Sequence, residues 1–271
     1  MDAPEAQLLE ADEPNPVRVL RPAGGSDFLL AADHAGRLIP RVLGSLGVSD
    51  SELERHIAWD IGIAGVTEAL SGLLDATAVQ QVYSRLVIDC NRAPDHPTSI
   101  PTISEATAIP GNEGLSAVDR ETRRRAIFDP YHAAIAGLLD ARSAAGRRIV
   151  LIAMHSFTPV FKGAARAVEV GVLYHHPTPL SRTMLDLLRA EGDLTVGDNQ
   201  PYAITDTSDY TVPVHGEGRG LDHVEIEIRQ DLIADRAGQA AWAQRMARLL
   251  MVAASRQLSF RDAPQGQTRS P

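Results

Sequence analysis

The chain has 271 residues, 44% of them hydrophobic, and its 26 basic and 35 acidic side chains leave a formal net charge of −9. That acidity excludes long-range attraction to nucleic acid or anionic membranes, and no apolar run approaches the ~20 residues of a membrane span. The single cysteine, Cys90, excludes an intramolecular disulfide framework, and an acidic N-terminus unlike a secretory signal points to a cytoplasmic globular protein.

Residues 1–16 and 262–271 are polar and are expected to fray, leaving one domain over 17–261. Short apolar runs predict buried strands over 27–32, 78–90, 148–154, 169–174, 195–197 and 223–229. Amphipathic spacing predicts helices over 50–58, 60–74, 116–144, 179–191 and 239–256; Ser116 and Asp119 come close to a capping box. Strands alternating with helices predict an α/β fold around a mainly parallel sheet. The stretch 93–114, with Pro94, Pro97, Pro101 and Pro110, is expected to be a long ordered loop of the functional kind.

Ligands of α/β sheets bind beyond the carboxyl ends of strands, so the residues there come first. Two predicted strands run into histidines, at Asp33-His34 and at Met154-His155. One such histidine alone is more often a hydrogen-bonded structural residue. Two at equivalent ends make a metal or catalytic role competitive, provided their strands lie close in the sheet. Asp60 precedes an apolar helical stripe and so resembles an N-cap, but the segment before it already reads as helix. With His34 and His155 it would complete the two-imidazole, one-carboxylate set of a catalytic zinc. The run His223 to Arg229 alternates, with Val224, Ile226 and Ile228 on one face and Glu225, Glu227 and Arg229 on the other. It is either a half-solvated edge strand or a strand that aims a glutamate into a site as general base.

In the run 82–90, Arg85 and Asp89 would share a face as a buried pair, Cys90 would face the core, and Asn91-Arg92 at its end offer a fork for a carboxylate. His215 and Arg219, in a Gly-rich loop, suit a wall that contacts ligand. His175-His176 reads as solvent-facing, and His56, His96 and His132 carry no functional expectation. Signatures for dinucleotide binding, a P-loop and a serine nucleophile elbow are missing from the sequence.

Taken together these residues resemble the N-formylglutamate amidohydrolase family. The resemblance rests on Asp33-His-Ala-Gly36, Trp59-Asp60, Ser84-Arg-Leu-Val-Ile-Asp-Cys-Asn-Arg92 with Pro94, Ile109-Pro-Gly-Asn112, His155-Ser156, His215-Gly216 and Val224-Glu-Ile-Glu227. It implies a three-layer α/β/α sandwich, one divalent metal ion (Zn2+ first) and a single catalytic amidohydrolase domain that cleaves an N-acyl, first of all N-formyl, amide of an acidic amino acid. His34 and His155 match the metal histidines. The metal glutamate of related carboxypeptidases falls at Arg37, which cannot ligate, so Asp60 takes that place. Glu227 matches the general base, Arg85 or the metal itself would stabilise the oxyanion, and Asn91 and Arg92 would hold the substrate carboxylate, with His215, Arg219 and Glu225 completing the pocket. The rival readings are a deacylase or carboxypeptidase-type hydrolase for another N-acyl amino acid or peptide, and a metal-free protein that binds a small carboxylate through Arg85 and Arg92. The expected partner is a small acidic molecule, and a homo-oligomer is compatible with the sequence.

Overall fold

The computed structural model describes residues 7–205 and 209–261. Seven strands form one mixed sheet: β1 (Val17–Leu20), β2 (Phe28–Ala32), β3 (Thr77–Gln81), β4 (Val150–Phe157), β5 (Val170–Leu173), β6 (Val196–Asp198) and β7 (Asp222–Arg229), in the spatial order β1-β3-β2-β4-β7-β5-β6. Strands β3, β2, β4 and β7 run parallel; β1 is antiparallel to β3, and β5 and β6 together run antiparallel to β7.

Alternation along each strand splits the apolar residues between two layers. Leu30, Ile152, Met154, Val224, Ile226 and Ile228 meet Val66 and Leu70 of α1 (Ile63–Leu74), Met184 and Leu188 of α4 (Pro179–Glu191), and Met246 and Leu250 of α5 (Arg236–Arg261). On the other face Leu29, Ala31, Val79 and Leu151 meet Tyr131, Ile135 and Leu139 of α3 (Asp129–Ala144), with the chain from Tyr83 to Ile109 packed beside it. The chain is therefore an α/β/α sandwich in a single domain. Helix α2 (Ala117–Arg123), capped by the reciprocal Ser116–Asp119 box, leads through a wide turn at Arg124–Phe128 into α3. No helix among the described residues is long and apolar enough to cross a membrane.

Three sequence expectations need correction. The strand expected over 78–90 stops at Gln81. Beyond it the backbone is claimed by side chains from elsewhere: Asn112 Nδ2 donates to Leu86 O (2.8 Å), Arg123 Nη1 to Val87 O (3.1 Å), and Ser84 Oγ, which donates to Ala58 O (2.7 Å), accepts from Leu86 N. Such side-chain bonds compete with a ladder for the backbone groups, and here they win. Leu86, Val87, Ile88 and Cys90 are consequently buried together, where strict alternation would have separated Val87 from the others. The helix expected over 50–58 is one turn, Asp50–Leu53. Residues 7–16, expected to fray, are tied down: Leu8 is buried, Tyr83 Oη donates to Pro14 O (2.8 Å), and Arg41 pairs with Glu10 and Asp12. The expectation for 262–271 lies outside the described residues.

Candidate metal centre

Parallel neighbours β2 and β4 bring His34 and His155 together, with ring centroids 5.0 Å apart. Asp60 arrives from the turn before α1, its backbone N–H bonded to His34 O (2.9 Å). It does not cap α1: the N-cap is Gly62, at φ 83°, where a Cβ would lie 2.2 Å from Ile233 O, so only glycine fits and the Asp60 carboxylate is left for the site. All three side chains are buried, and their ligand atoms lie within 4.8 Å of one another.

The hydrogen bonds fix which ring nitrogens face inward. His34 Nε2–H donates to Asp89 Oδ1 (2.7 Å), and His155 Nε2–H donates to Asp33 Oδ2 (3.1 Å). Both Nδ1 atoms then point at Asp60 Oδ2, at 3.5 Å from His34 and 3.0 Å from His155. A carboxylate behind each imidazole is how metal-ligating histidines are usually held. His34 Nδ1, buried, makes no hydrogen bond at all. Two imidazole lone pairs converging on one buried carboxylate oxygen are stable only with a cation or an extra proton between them, and spacings of 3.0–3.5 Å approach the ~3.3 Å edge of a tetrahedral site with ~2.0 Å bonds. Without such an ion the proton fills the gap. Burial opposes protonation of His155, but Glu225, Asp33 and Asp60 overcome it and raise its pKa well above the ordinary value; burial likewise opposes ionisation of Asp60, yet the two histidines hold it well below the usual carboxylate range.

Glu225 and Glu227 stand on the cleft face of β7, and the ladder sets Glu227 directly beside His155. Both are buried, and in each Oε2 lacks a hydrogen bond. Burial pushes Glu227 up to about 8 and Glu225 well above its ordinary range. The alternative of a half-solvated edge strand therefore does not hold, because β7 is central. Arg85 Nε and Nη2 grip Asp89 Oδ2 (3.1 and 2.6 Å), and its Nη1 lies 3.5 Å from Asp60 Oδ1. These groups form the floor of a cleft of about 510 Å³, whose walls include Arg92, Pro101, Ile103, Glu105, Phe161 and Tyr202. The proline-rich loop thus supplies one wall, as its composition suggested. Of the wall residues, Phe161 and Tyr202 are braced by Arg166, a contact the sequence did not announce: its guanidinium stacks over both rings (4.7 Å each) and donates to Tyr202 Oη (2.8 Å). His56, which carried no expectation, also lines the cleft.

Three expected substrate contacts are placed differently. Asn91 reaches the cleft, but its amide is committed: Oδ1 accepts from Tyr210 N and Thr211 N (2.9 and 3.0 Å), and Nδ2 donates to Asp209 Oδ1 (2.9 Å). It positions the returning chain, from which Thr211 Oγ1 donates to Asp33 Oδ1 (2.6 Å). Arg219 lies outside the cleft, paired with Asp140. His215 is turned inward. His132 Nε2–H donates to Cys90 O (2.8 Å), so its Nδ1 accepts from His215 Nε2–H (3.0 Å), and the rings stack. Its Gly-rich surroundings suggested a wall that contacts ligand, but an imidazole partner and aromatic neighbours bury it. The carboxylates Asp33 and Asp89 behind the histidines have a faint sequence signal, their place beside strand-end residues.

That histidine pair makes stability depend on pH. Burial pushes both His132 and His215 down to about 4, against about 6.5 in an unfolded chain. As pH falls through that window the unfolded state takes up protons that the folded state refuses. The contribution of this pair is full above about 6.5 and declines towards 4, by about 3 kcal/mol from His132 alone. Denaturant unfolding at pH 7 and pH 5 should show this decline, and His132→Gln should flatten it; an undiminished slope in the variant would assign it elsewhere.

The model of the family described as N-formylglutamate amidohydrolase matches residues 26–234. A gene product of Agrobacterium tumefaciens of known crystal structure is 40% identical, with a TM-score of 0.89 over 93% of this chain and 100% of that one. The N-formylglutamate amidohydrolase of Ralstonia eutropha JMP134 shares the fold at 18% identity, with a TM-score of 0.66 over 90% of this chain and 99% of that one. No curated protein gives a significant match.

Proposed function

Because this chain belongs to the N-formylglutamate amidohydrolase family, and so is a hydrolase acting on amides, we propose that it removes the acyl group from an N-acylated acidic amino acid, N-formylglutamate first, using Zn2+. The observation that carries this reading is the convergence of His34 Nδ1, His155 Nδ1 and Asp60 Oδ2 beside the Glu227 carboxyl, whose Oε2 makes no hydrogen bond, on the floor of the cleft. When bound to these three residues, zinc supplies Lewis-acid polarisation of the amide and a water of lowered pKa.

The chain's own residues do the rest. Glu227 takes a proton from the attacking water on its carboxylate and returns it to the leaving amine nitrogen. Arg85, held rigid by its two bonds to Asp89, is the donor we assign to the developing oxyanion. Arg92 grips the substrate carboxylate, while Asn91 positions the segment from Asp209 to Thr211 beside it. An acidic protein that takes an acidic substrate needs these cations inside the cleft, because its overall field repels the ligand. Arg92→Lys keeps the charge but not the planar fork, so KM is expected to rise about tenfold with kcat little changed. An unchanged KM removes Arg92 from carboxylate binding.

The cleft of about 510 Å³, with Phe161 and Tyr202 on its wall, also has room for acyl groups larger than formyl, which favours a deacylase of broader range as the second reading. Metal-loaded protein assayed on formyl, acetyl and succinyl amino acids separates the two. Turnover of none of them would overturn both.

A further inference from the structure

We propose that His175, His176 and Glu217 form a second divalent-metal site of zinc type, with His223 facing the other oxygen of Glu217, separate from the centre at His34, Asp60 and His155. The ladder places the two far apart. His223 pairs with Leu151 and Glu227 with His155, so four residues of β7, ~13 Å at ~3.3 Å per residue, lie between His223 and the level of the first centre. Strand β5 runs antiparallel to β7, with Leu173 opposite Glu225, so the chain leaving it delivers His175 and His176 to the far end of the sheet, beside His223.

The ligand atoms already converge. Glu217 Oε2 lies 3.3 Å from His175 Nδ1 and 3.1 Å from His176 Nδ1, close to the ~3.3 Å edge of a tetrahedron with ~2.0 Å metal bonds. His223 adds an independent sign. Its side chain is 3% exposed, and its Nδ1–H donates to Leu221 O (2.9 Å), so Nε2 carries a lone pair. That Nε2 makes no hydrogen bond and faces Glu217 Oε1 at 3.6 Å, an acceptor facing an acceptor inside the protein. A proton or a metal cation beside Glu217 resolves the conflict, and a backbone carbonyl on the other ring nitrogen is a usual support for an imidazole at a metal site.

The surrounding backbone holds this arrangement in place. A Cβ on Gly216 would lie 2.9 Å from His223 Cγ, so glycine there lets the turn rest against the ring and bring Glu217 next to it. Thr178 Oγ1 donates to His223 O (2.9 Å), fixing the loop that carries the two adjacent histidines at the start of α4. A metal here would clasp three segments that are distant in sequence: the exit of β5, the turn at Glu217–Arg219 and the start of β7.

The test is titration of the metal-stripped full chain with Co2+, followed by direct binding and visible absorption. Wild type is expected to take up two equivalents, and His176→Ala one. The His176 side chain is 75% exposed, so this truncation leaves the fold intact. His155→Ala should still take up one equivalent, which separates this site from the first centre. In that background, metal at ~100 times its Kd should raise Tm by roughly 5–10 °C, a shift that His176→Ala abolishes. The proposal is overturned when His176→Ala and Glu217→Gln both bind Co2+ with wild-type stoichiometry and affinity.

Discussion

Replacing His155 with alanine should remove bound metal and turnover together, with kcat/KM falling by at least about 10³-fold. The side chain is the pivot of the centre, 3.0 Å from Asp60 Oδ2 on one side and 3.1 Å from Asp33 Oδ2 on the other. Truncation deletes one of three ligand atoms and strands two buried carboxylates, a change that costs about 3–5 kcal/mol when a buried ionic partner is lost. Part of the loss could therefore be stability, and His155→Gln answers that: it keeps a polar group of similar reach but offers no imidazole lone pair to a metal. Elemental analysis of both purified variants, read beside their unfolding curves, decides the matter. A folded variant with wild-type metal content and turnover would sink the ligand assignment.

Glu227→Gln should lower kcat by about 10²–10⁴-fold while metal stays bound, because the substitution removes the proton carrier and no ligand. A second, independent signature accompanies it. Burial holds the Glu227 carboxyl up to about 8, whereas an unfolded chain ionises it near 4.5. As pH rises through that interval the unfolded state releases its proton first, so this group draws stability away between about 4.5 and 8, by up to about 5 kcal/mol in metal-stripped protein. Glutamine has no proton to lose. The metal-stripped variant should therefore match wild type below about pH 4.5 and exceed it in stability at pH 8. Equal unfolding midpoints at both pH values would mean that the buried carboxyl is not strained as described, and retained kcat would remove it from proton transfer.

Much of this site was legible because its signals are local. Histidines at the ends of apolar runs locate His34 and His155, and alternation along 223–229 puts Glu225 and Glu227 on a common face, as β7 shows. What escaped depends on partners distant in sequence. The irregular path from Val82 to Cys90 is dictated by Asn112 and Arg123, which donate to carbonyls that a ladder would otherwise claim. The inward turn of His215 depends on His132, 83 residues earlier, which no local pattern announces. Asn91 has the right chemistry for a substrate contact, and only the return of the chain at Tyr210 and Thr211 shows that its amide is already engaged.

The alternation along β7 also governs how the protein reaches its native state. A slip of one residue against β4 would drive Glu225 and Glu227 into the layer under α4 and α5 and turn Val224, Ile226 and Ile228 onto the face that carries the cleft. Two carboxyl groups in an apolar layer would make that misalignment prohibitive. The acidic pair thus sets the shifted register at a disadvantage, and a sequence with both glutamates replaced by aliphatics would lose the penalty that distinguishes the native alignment from its nearest competitor.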